Sequence, residues 1–182
     1  MTESVRVVNT LRSPHAQIHD VPLDAVRWKR GFWADRVRQV AEVTVRSLWE
    51  RLADPDAGHV LENLRIASGL QAGTHRGTWW QDAWLYKWIE AAACLYRTTR
   101  DPWLDERMDE GIALIARAQE EDGYIGTQTT ASDRERFEDI RLHEVYAMGH
   151  LLTAAVIHRR MTGKNSFLDV ATRVGDFLCG TL

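Results

Sequence analysis

The sequence predicts an all-α protein built from stacked helical hairpins. Three observations carry that reading. Apolar residues recur at i, i+3, i+4 and i+7 through several segments, the period of a helix with one face turned to a core. Three of the four prolines lie before residue 60, so the second half can hold long uninterrupted helices. No stretch alternates apolar and polar residues for long enough to build a central sheet.

Residues 1–32 read as an irregular or extended segment, with "SVRVV" as a short strand and "VPLDAVRW" as a second extended piece. A helical period begins at Phe32. "FWADRVRQVAEVTVRSLWERL" sets Trp33, Val37, Val40, Ala41, Thr44 and Leu48 at the spacing of a core-facing stripe, and "ADPDAG" ends it. "HVLENLRIASG" is a short helix closed by Gly69. The next helix runs from near Gln81 to about Thr98, with Leu85, Trp88, Ile89, Ala92 and Leu95 on one face. "TTRDPW" is a break and restart, with Asp101 as the cap and Pro102 at the first helical position. The helix that follows carries Leu104, Met108, Ile112, Ile115 and Ala118 until "EEDGYIG" stops it, and residues 126–139 read as a polar loop. A helix from about Leu142 to Met161 ends at "TGKN". Ser166 with Asp169 is a capping-box pattern for the last helix, which carries Phe167, Val170, Val174, Phe177 and Leu178. The long helices run in pairs joined by turns, as in a bundle, a solenoid or an α/α toroid. No repeat of fixed length is present, which disfavours a short-repeat solenoid.

A length of 182 residues suits one domain or a piece of one, and a hydrophobic fraction of 45% allows a real core. A net charge of −3 gives no field that would draw the chain to nucleic acid or an anionic membrane. No run reaches the roughly 18 apolar residues of a membrane span, and the opening residues lack the apolar core of a signal peptide. The expectation is a cytoplasmic protein without nucleic-acid or membrane partners. Cys94 and Cys179 lie far apart and form neither a metal-ligand pair nor an expected disulfide.

Three places could carry chemistry. In "GTWWQDAWLYKWIEAAACLY", residues 77–96, four tryptophans fall within ten positions. Trp84 and Trp88 lie four apart, the spacing of core neighbours on one helix. Trp79 and Trp80 precede the helix, in a loop position where a ring can meet a ligand. A tryptophan face stacks on the C–H face of a sugar, and Gln81 and Asp82 supply an amide and a carboxylate for its hydroxyls. The competing role for Asp82 is a negative charge at a helix N-terminus. "DGYIGTQ" reads as a turn with a packed tyrosine. In "RLHEVYAMGH", His143 and Glu144 open a helix, Tyr146 is a turn away from His143, and His150 shares their face. Zinc would call for histidines at i and i+4 with further ligands, so no metal site is assigned. The plainer alternative has Glu144 complementing the helix dipole and His150 packed in the core.

The order of "GFW", "ENLRIASG", "QDAWLYKWIEAAACLY", "ARAQEEDGYIGT" and "LHEVYAMGHLLTAAVIHRRMTGKNSFLDVATRVGDFL" resembles the N-terminal part of the β-L-arabinofuranosidase family, glycoside hydrolase family 127 and its relatives. The resemblance runs from about Val21 to the end of the chain. It implies an (α/α)6 toroid, of which residues 33–182 are a part truncated on the C-terminal side, with residues 1–32 as an extended leader. It also implies a retaining exo-glycosidase whose nucleophile is a zinc-bound cysteine thiolate and whose acid/base is a glutamate. Both lie in the second half of the toroid, so the resemblance puts no catalytic residue and no metal ligand in this chain, and zinc belongs to the full-length enzyme. What it assigns to this chain is the substrate side. By the resemblance His143 contacts the sugar and Asp82 is a pocket-side aspartate. Their place before the helix puts Trp80 and Gln81 beside Asp82 on the rim, and the residues along the His143 helix, Glu144, Tyr146 and His150, are read as supporting. One departure stands out: where many relatives read Asp-Ser-Asp, this chain has Asp82-Ala83-Trp84, which removes a carboxylate and points to a different sugar. The expected partners are a carbohydrate substrate and the remaining half of the toroid. Two other readings stay open: a non-catalytic helical carbohydrate-binding or interaction module, and a fragment of a toroidal sugar epimerase or unsaturated-uronyl hydrolase.

Overall fold

Residues 5–11 and 13–182 are described by a computed structural model, and every regular element among them is helical. Helix α1 (Phe32–Gln39) runs through one π turn (Val40–Thr44) into α2 (Val45–Ala53). The stripe expected from this stretch points outward: Trp33, Val37, Val40 and Leu48 are exposed, while Val45, Trp49 and Leu52 are buried. Trp33 and Val37 lie on an edge that no described helix covers, and beyond them the π turn shifts the phase. It inserts one extra residue into the helical count, so a phase read from Trp33 onward falls one residue short of the buried set by Val45.

Helix α3 (Val60–Ala67) ends as expected before Gly69, whose φ of 72° is left-handed. Helix α4 (Asp82–Thr99) buries Leu85, Trp88, Ile89 and Ala92. Helix α5 (Pro102–Ala118) is capped by Asp101, whose Oδ1 accepts from the Trp103 N–H at 3.0 Å. A one-turn helix α6 (Thr127–Thr130) and a 3-10 turn (Ile140–Leu142) precede α7 (Glu144–Thr162), and α8 (Ser166–Thr181) follows.

Four sequence expectations need correction. The stretch 126–139 is no simple polar loop, because Thr127, Gln128 and Thr129 are buried. Val5–Val8 form no strand (Ser4 lies outside the described residues), and Leu23–Ala25 is a 3-10 turn within the second extended piece. Trp84, expected in the core with Trp88, is exposed. The capping box does not form: Ser166 is the first helical residue, and Asn165 occupies the cap without a side-chain bond.

Three hairpins, α2/α3, α4/α5 and α7/α8, stack in chain order. Their first helices lie side by side, α2 on α4 and α4 on α7; their second helices do the same, α3 on α5 and α5 on α8. Helices α4 and α7 share the largest contact, and both bury small residues: Ala83, Ala92 and Ala93 in α4, Ala147, Ala154 and Ala155 in α7. A tryptophan layer ties α2 to the second hairpin. The Trp88 indole donates to the Val45 carbonyl at 2.8 Å and packs 4.7 Å from the Trp49 ring. Arg46 lies over Trp103 and bonds the capping Asp101. The N-terminal segment crosses the far ends of α4 and α7, where Arg97 pairs with Asp24 at 2.9 Å and Arg160 donates to the Val7 carbonyl. None of the described helices is long and apolar enough to cross a membrane.

Trp28, Phe32, Trp33, Val37, Val40 and Val43 form an uncovered apolar row, and each such side chain forfeits about 1.5–3 kcal/mol of burial. In sedimentation velocity the chain alone should associate, and Trp33→Gln with Val37→Ser should shift it towards monomer without loss of far-UV helicity. An unchanged distribution would clear this row of responsibility.

His158 is fully buried, edge-on to Phe167, with no partner for either ring nitrogen. Burial, and then the Lys164 cation, lower its pKa to about 4. The folded state therefore keeps it neutral while the unfolded chain protonates below its ordinary value of 6.5, so stability falls as pH drops from 6.5 towards 4. The loss is on the order of 3 kcal/mol. His158→Leu should melt higher than the parent near pH ~5, with the gap narrowing above pH ~7; a constant gap across that range would refute the linkage.

Candidate functional site

Because α4 and α7 lie side by side in the same direction, the turn before α4 and the turn before α7 meet at one end of the molecule. Trp80 comes from the first and His143 from the second, and their rings meet edge-on at 5.4 Å. His143 stands 5.7 Å from Tyr146, and Tyr146 stands 4.6 Å from His150, one turn further along α7. Trp80, His143 and Tyr146 are exposed and His150 is half-exposed, so four rings form a continuous surface row. From α4, Lys87 donates to the Tyr146 hydroxyl at 2.5 Å, and Trp84, one turn after Trp80, is exposed. A depression of about 260 Å³ opens beside it, lined by Phe137, Asp139, Ile140, His143, Glu144 and Tyr146 among others.

His143 owes its position to its backbone. It takes a left-handed φ of 57° between the 3-10 turn and α7, a conformation uncommon for a residue with a Cβ. The segment is held in place from behind by Glu144. One oxygen of its buried carboxylate accepts from the Phe137 N–H at 2.8 Å and the other from the Tyr124 hydroxyl, which also meets Thr129 Oγ1 at 2.6 Å. Burial, and then the Glu144 carboxylate, hold the Tyr124 phenol well above its usual range, so it stays protonated and donating.

Gln81 and Asp82 are not on the rim. Both are buried behind it, and both staple backbone. Gln81 accepts from the Thr78 N–H at 3.1 Å and donates to the Arg76 carbonyl at 2.7 Å, closing the turn that carries Trp79 and Trp80. Asp82 accepts from the Thr127 N–H at 2.8 Å and pairs its other oxygen with Thr127 Oγ1 at 2.7 Å. The reason is local for Gln81 and long-range for Asp82, but it is the same physics. A non-helical turn has backbone groups with no helical partner, and the nearest polar side chains satisfy them. His150, read as a core residue in the plainer alternative, lines the row instead; partial burial, and then Lys87, lower its pKa.

Two residues escaped the sequence reading. Thr127 lies in the supposed polar loop, and His75 in "THRG" has no neighbour of chemical interest in sequence. His75 Nδ1 is 3.1 Å from Thr127 Oγ1, and its ring stacks on Trp79 at 5.6 Å, with the Arg134 guanidinium over the indole. The signal for Thr127 was the cluster Thr127, Thr129 and Thr130 directly after Gly126, a pattern suited to side chains that bond backbone.

The row offers ring edges and faces together with histidine, phenol and ammonium groups, a set that suits a small polar ring. It has no acid/base pair. Glu144 has both oxygens engaged, and hydrogen bonds from Arg141 hold Asp139 down to about 2. No three His, Cys, Asp or Glu side chains among the described residues converge as a ligand set. Burial, and then Glu90, raise the Cys94 thiol, the reverse of what a metal thiolate needs. These residues do not fit the zinc implied by the resemblance.

Comparison with known proteins bears on the same region. A family model described as β-L-arabinofuranosidase, GH127 catalytic domain, matches residues 25–182. A non-reducing end β-L-arabinofuranosidase of Bifidobacterium longum subsp. longum is 36% identical over 81% of this chain and 26% of its own length. A GH127 β-L-arabinofuranosidase from Geobacillus stearothermophilus T6 superimposes with a TM-score of 0.82 at 38% identity, covering 86% of this chain and 26% of that one. A second GH127 β-arabinofuranosidase structure gives 0.80 at 30% identity, covering 88% and 26%. The chain thus spans about a quarter of the length of the relatives it matches.

The role given to Glu144 is open to measurement. Tyr124→Phe leaves one buried carboxylate oxygen without its donor, which costs about 1–3 kcal/mol. Thermal melts should show that loss, and Tyr124→Phe combined with Glu144→Gln should cost less than the two single losses added together. Strict additivity would show that the two groups do not act through each other.

Proposed function

The chain belongs to the GH127 β-L-arabinofuranosidase catalytic-domain family, and we propose that it forms the substrate-contacting N-terminal part of a glycoside hydrolase of that family. Three stacked hairpins in two layers are part of an α/α toroid, with α2, α4 and α7 as one layer and α3, α5 and α8 as the other. On this reading the toroid begins near residue 33 and the preceding segment is a leader strapped to its far end.

The observation that carries the proposal is the exposed row Trp80–His143–Tyr146–His150, built where two helix starts meet. In this proposal Trp80 supplies an apolar surface for a sugar's C–H groups. His143 exchanges hydrogen bonds with its hydroxyls, and Tyr146 and His150 back it. Gln81, Asp82 and Glu144 act indirectly, by holding the turns. The substrate is a β-L-arabinofuranoside or a related glycoside. Trp84 favours the related sugar, because it presents an indole where many relatives carry a second carboxylate. The nucleophile, the acid/base and any zinc ligands belong to the part of the enzyme beyond these residues.

The second reading, a non-catalytic carbohydrate-binding module, draws on one observation: the ring row is assembled within this chain, while the two carboxylates beside it, Glu144 and Asp139, are both engaged by other groups. Both readings predict that the purified 182-residue chain will not turn over aryl arabinofuranosides, with or without zinc. Zinc-dependent turnover abolished by Cys94→Ser would overturn the assignment of the chemistry elsewhere. Turnover by the full-length protein separates the two readings, and the role of His143 can be measured in that protein. There, His143→Ala should lower kcat/KM by up to about tenfold, the worth of one hydrogen bond of about 0.5–1.5 kcal/mol. The melting temperature should stay unchanged. Lost stability with unaltered kinetics would reduce His143 to a packing residue.

A further inference from the structure

We propose that Asp82, Thr127 and His75 form a proton-operated clamp on the turn that carries Trp80, which tightens when the three residues take up one proton. Hydrogen-bond direction is its basis, and the clamp stands whether or not the ring row binds a sugar. Four contacts define it: Thr127 N–H to Asp82 Oδ2 at 2.8 Å, Thr127 Oγ1 to Asp82 Oδ1 at 2.7 Å, His75 Nδ1 to Thr127 Oγ1 at 3.1 Å, and His75 Nε2 to the Thr78 carbonyl at 3.4 Å.

The Thr127 hydroxyl has one hydrogen to give. With Asp82 ionised and His75 neutral, that hydrogen goes to Asp82, so Nδ1 must carry the imidazole proton and donate to Oγ1. Nε2 then presents a lone pair to the Thr78 carbonyl, which can only accept. Three contacts are hydrogen bonds and the fourth sets acceptor against acceptor; it is also the longest of the four.

Adding one proton repairs the fourth contact by either of two routes. If Nε2 takes it, the imidazolium donates to both Thr127 and Thr78. If Asp82 takes it, the acid donates to Oγ1, the hydroxyl turns to Nδ1, and the imidazole tautomer moves its hydrogen to Nε2. Both arrangements satisfy all four contacts, so the proton belongs to the three residues jointly. The groups that face them agree with a coupled site. From α4 come Asp82 itself and Tyr86; from the segment before α6, Tyr124; from the turn before α3, His59; and beyond Trp79, Arg134. Burial lowers the His75 pKa against the pull of Asp82, and burial raises that of Asp82, which brings the two together.

Thr78 is where the proton acts on the surface. Its carbonyl is the fourth contact, its N–H is held by Gln81, and Trp79 and Trp80 follow it directly. Closing the Nε2 contact fixes the turn, and with it the edge of Trp80 against His143. His75 and Asp82 are therefore positioning residues.

The test is a pH titration of protein labelled with ¹⁵N at histidine and at the tryptophan indole, with the Trp80 signal assigned by its loss in Trp80→Phe. His75 Nε2 should be bare at high pH and protonated at low pH, with a midpoint below the ordinary histidine range, and the Trp80 indole should shift at that same midpoint. Thr127→Val, which keeps the backbone N–H and removes the hydroxyl, should abolish the Trp80 step, and Thr127→Ser should retain it. A His75 that carries its proton on Nε2 throughout, or a Trp80 signal that ignores the His75 midpoint, would overturn the clamp. If Thr127→Val fails to fold, the parent and Thr127→Ser titrations decide by themselves.

Discussion

The packing of α4 on α7 is the constraint from which the rest of the molecule follows. The two helices lie against each other and run in step, and that sets their starts beside each other. Trp80 and His143 lie in the turns before those starts, and Tyr146, His150 and Lys87 follow within the first two turns of the two helices. Without the close contact, Trp80 and His143, 63 positions apart in sequence, would have no reason to meet. Larger residues in the seam would separate the helices and pull the ring row apart before they harmed either helix.

The second principle is a division of labour across the surface. Charged and amide groups beside the site are turned inward and saturated: Gln81 by the 76–78 turn, Asp82 by Thr127, Glu144 by Phe137 and Tyr124. The groups of the row itself that face solvent are rings and one ammonium, with the Asp139–Arg141 pair and Ile140 at its margin. A buried carboxylate with two donors is fixed in place, since leaving either oxygen unpaired is costly. The inward groups therefore supply rigidity, and the outward groups are free to meet a ligand in one arrangement.

The tryptophans divide along the same line. Trp49, Trp88 and Trp103 make a layer that locks the first helices together, with one indole N–H spent on a backbone carbonyl. Trp79 is packed between His75 and Arg134. Trp80 and Trp84 remain at the surface, as do Trp28 and Trp33 at the opposite, uncovered edge. Residue type alone does not separate these roles, and neighbours in sequence fall on both sides of the line.

The sequence by itself determined the long helices from Val60 onward, though not the one-turn α6, together with the breaks at Gly69, Asp101–Pro102 and Gly163 and the core faces of α4 and α5. Periodicity, caps and breakers are local, and local pattern is enough to place them. It also showed that His143, Tyr146 and His150 share a face, because that is a count along one helix. The tertiary structure decided everything that needed a partner distant in sequence. The π turn moved the buried stripe of the first helix from Leu48 to Trp49. Thr127 reached back 45 positions to take Asp82 out of the pocket, and Tyr124 reached forward to Glu144. His75 gained its meaning only from Thr127 and Trp79. A polar side chain at a turn can face a ligand or satisfy backbone. The choice depends on which unpaired groups the fold brings within reach, and no spacing along the chain encodes that.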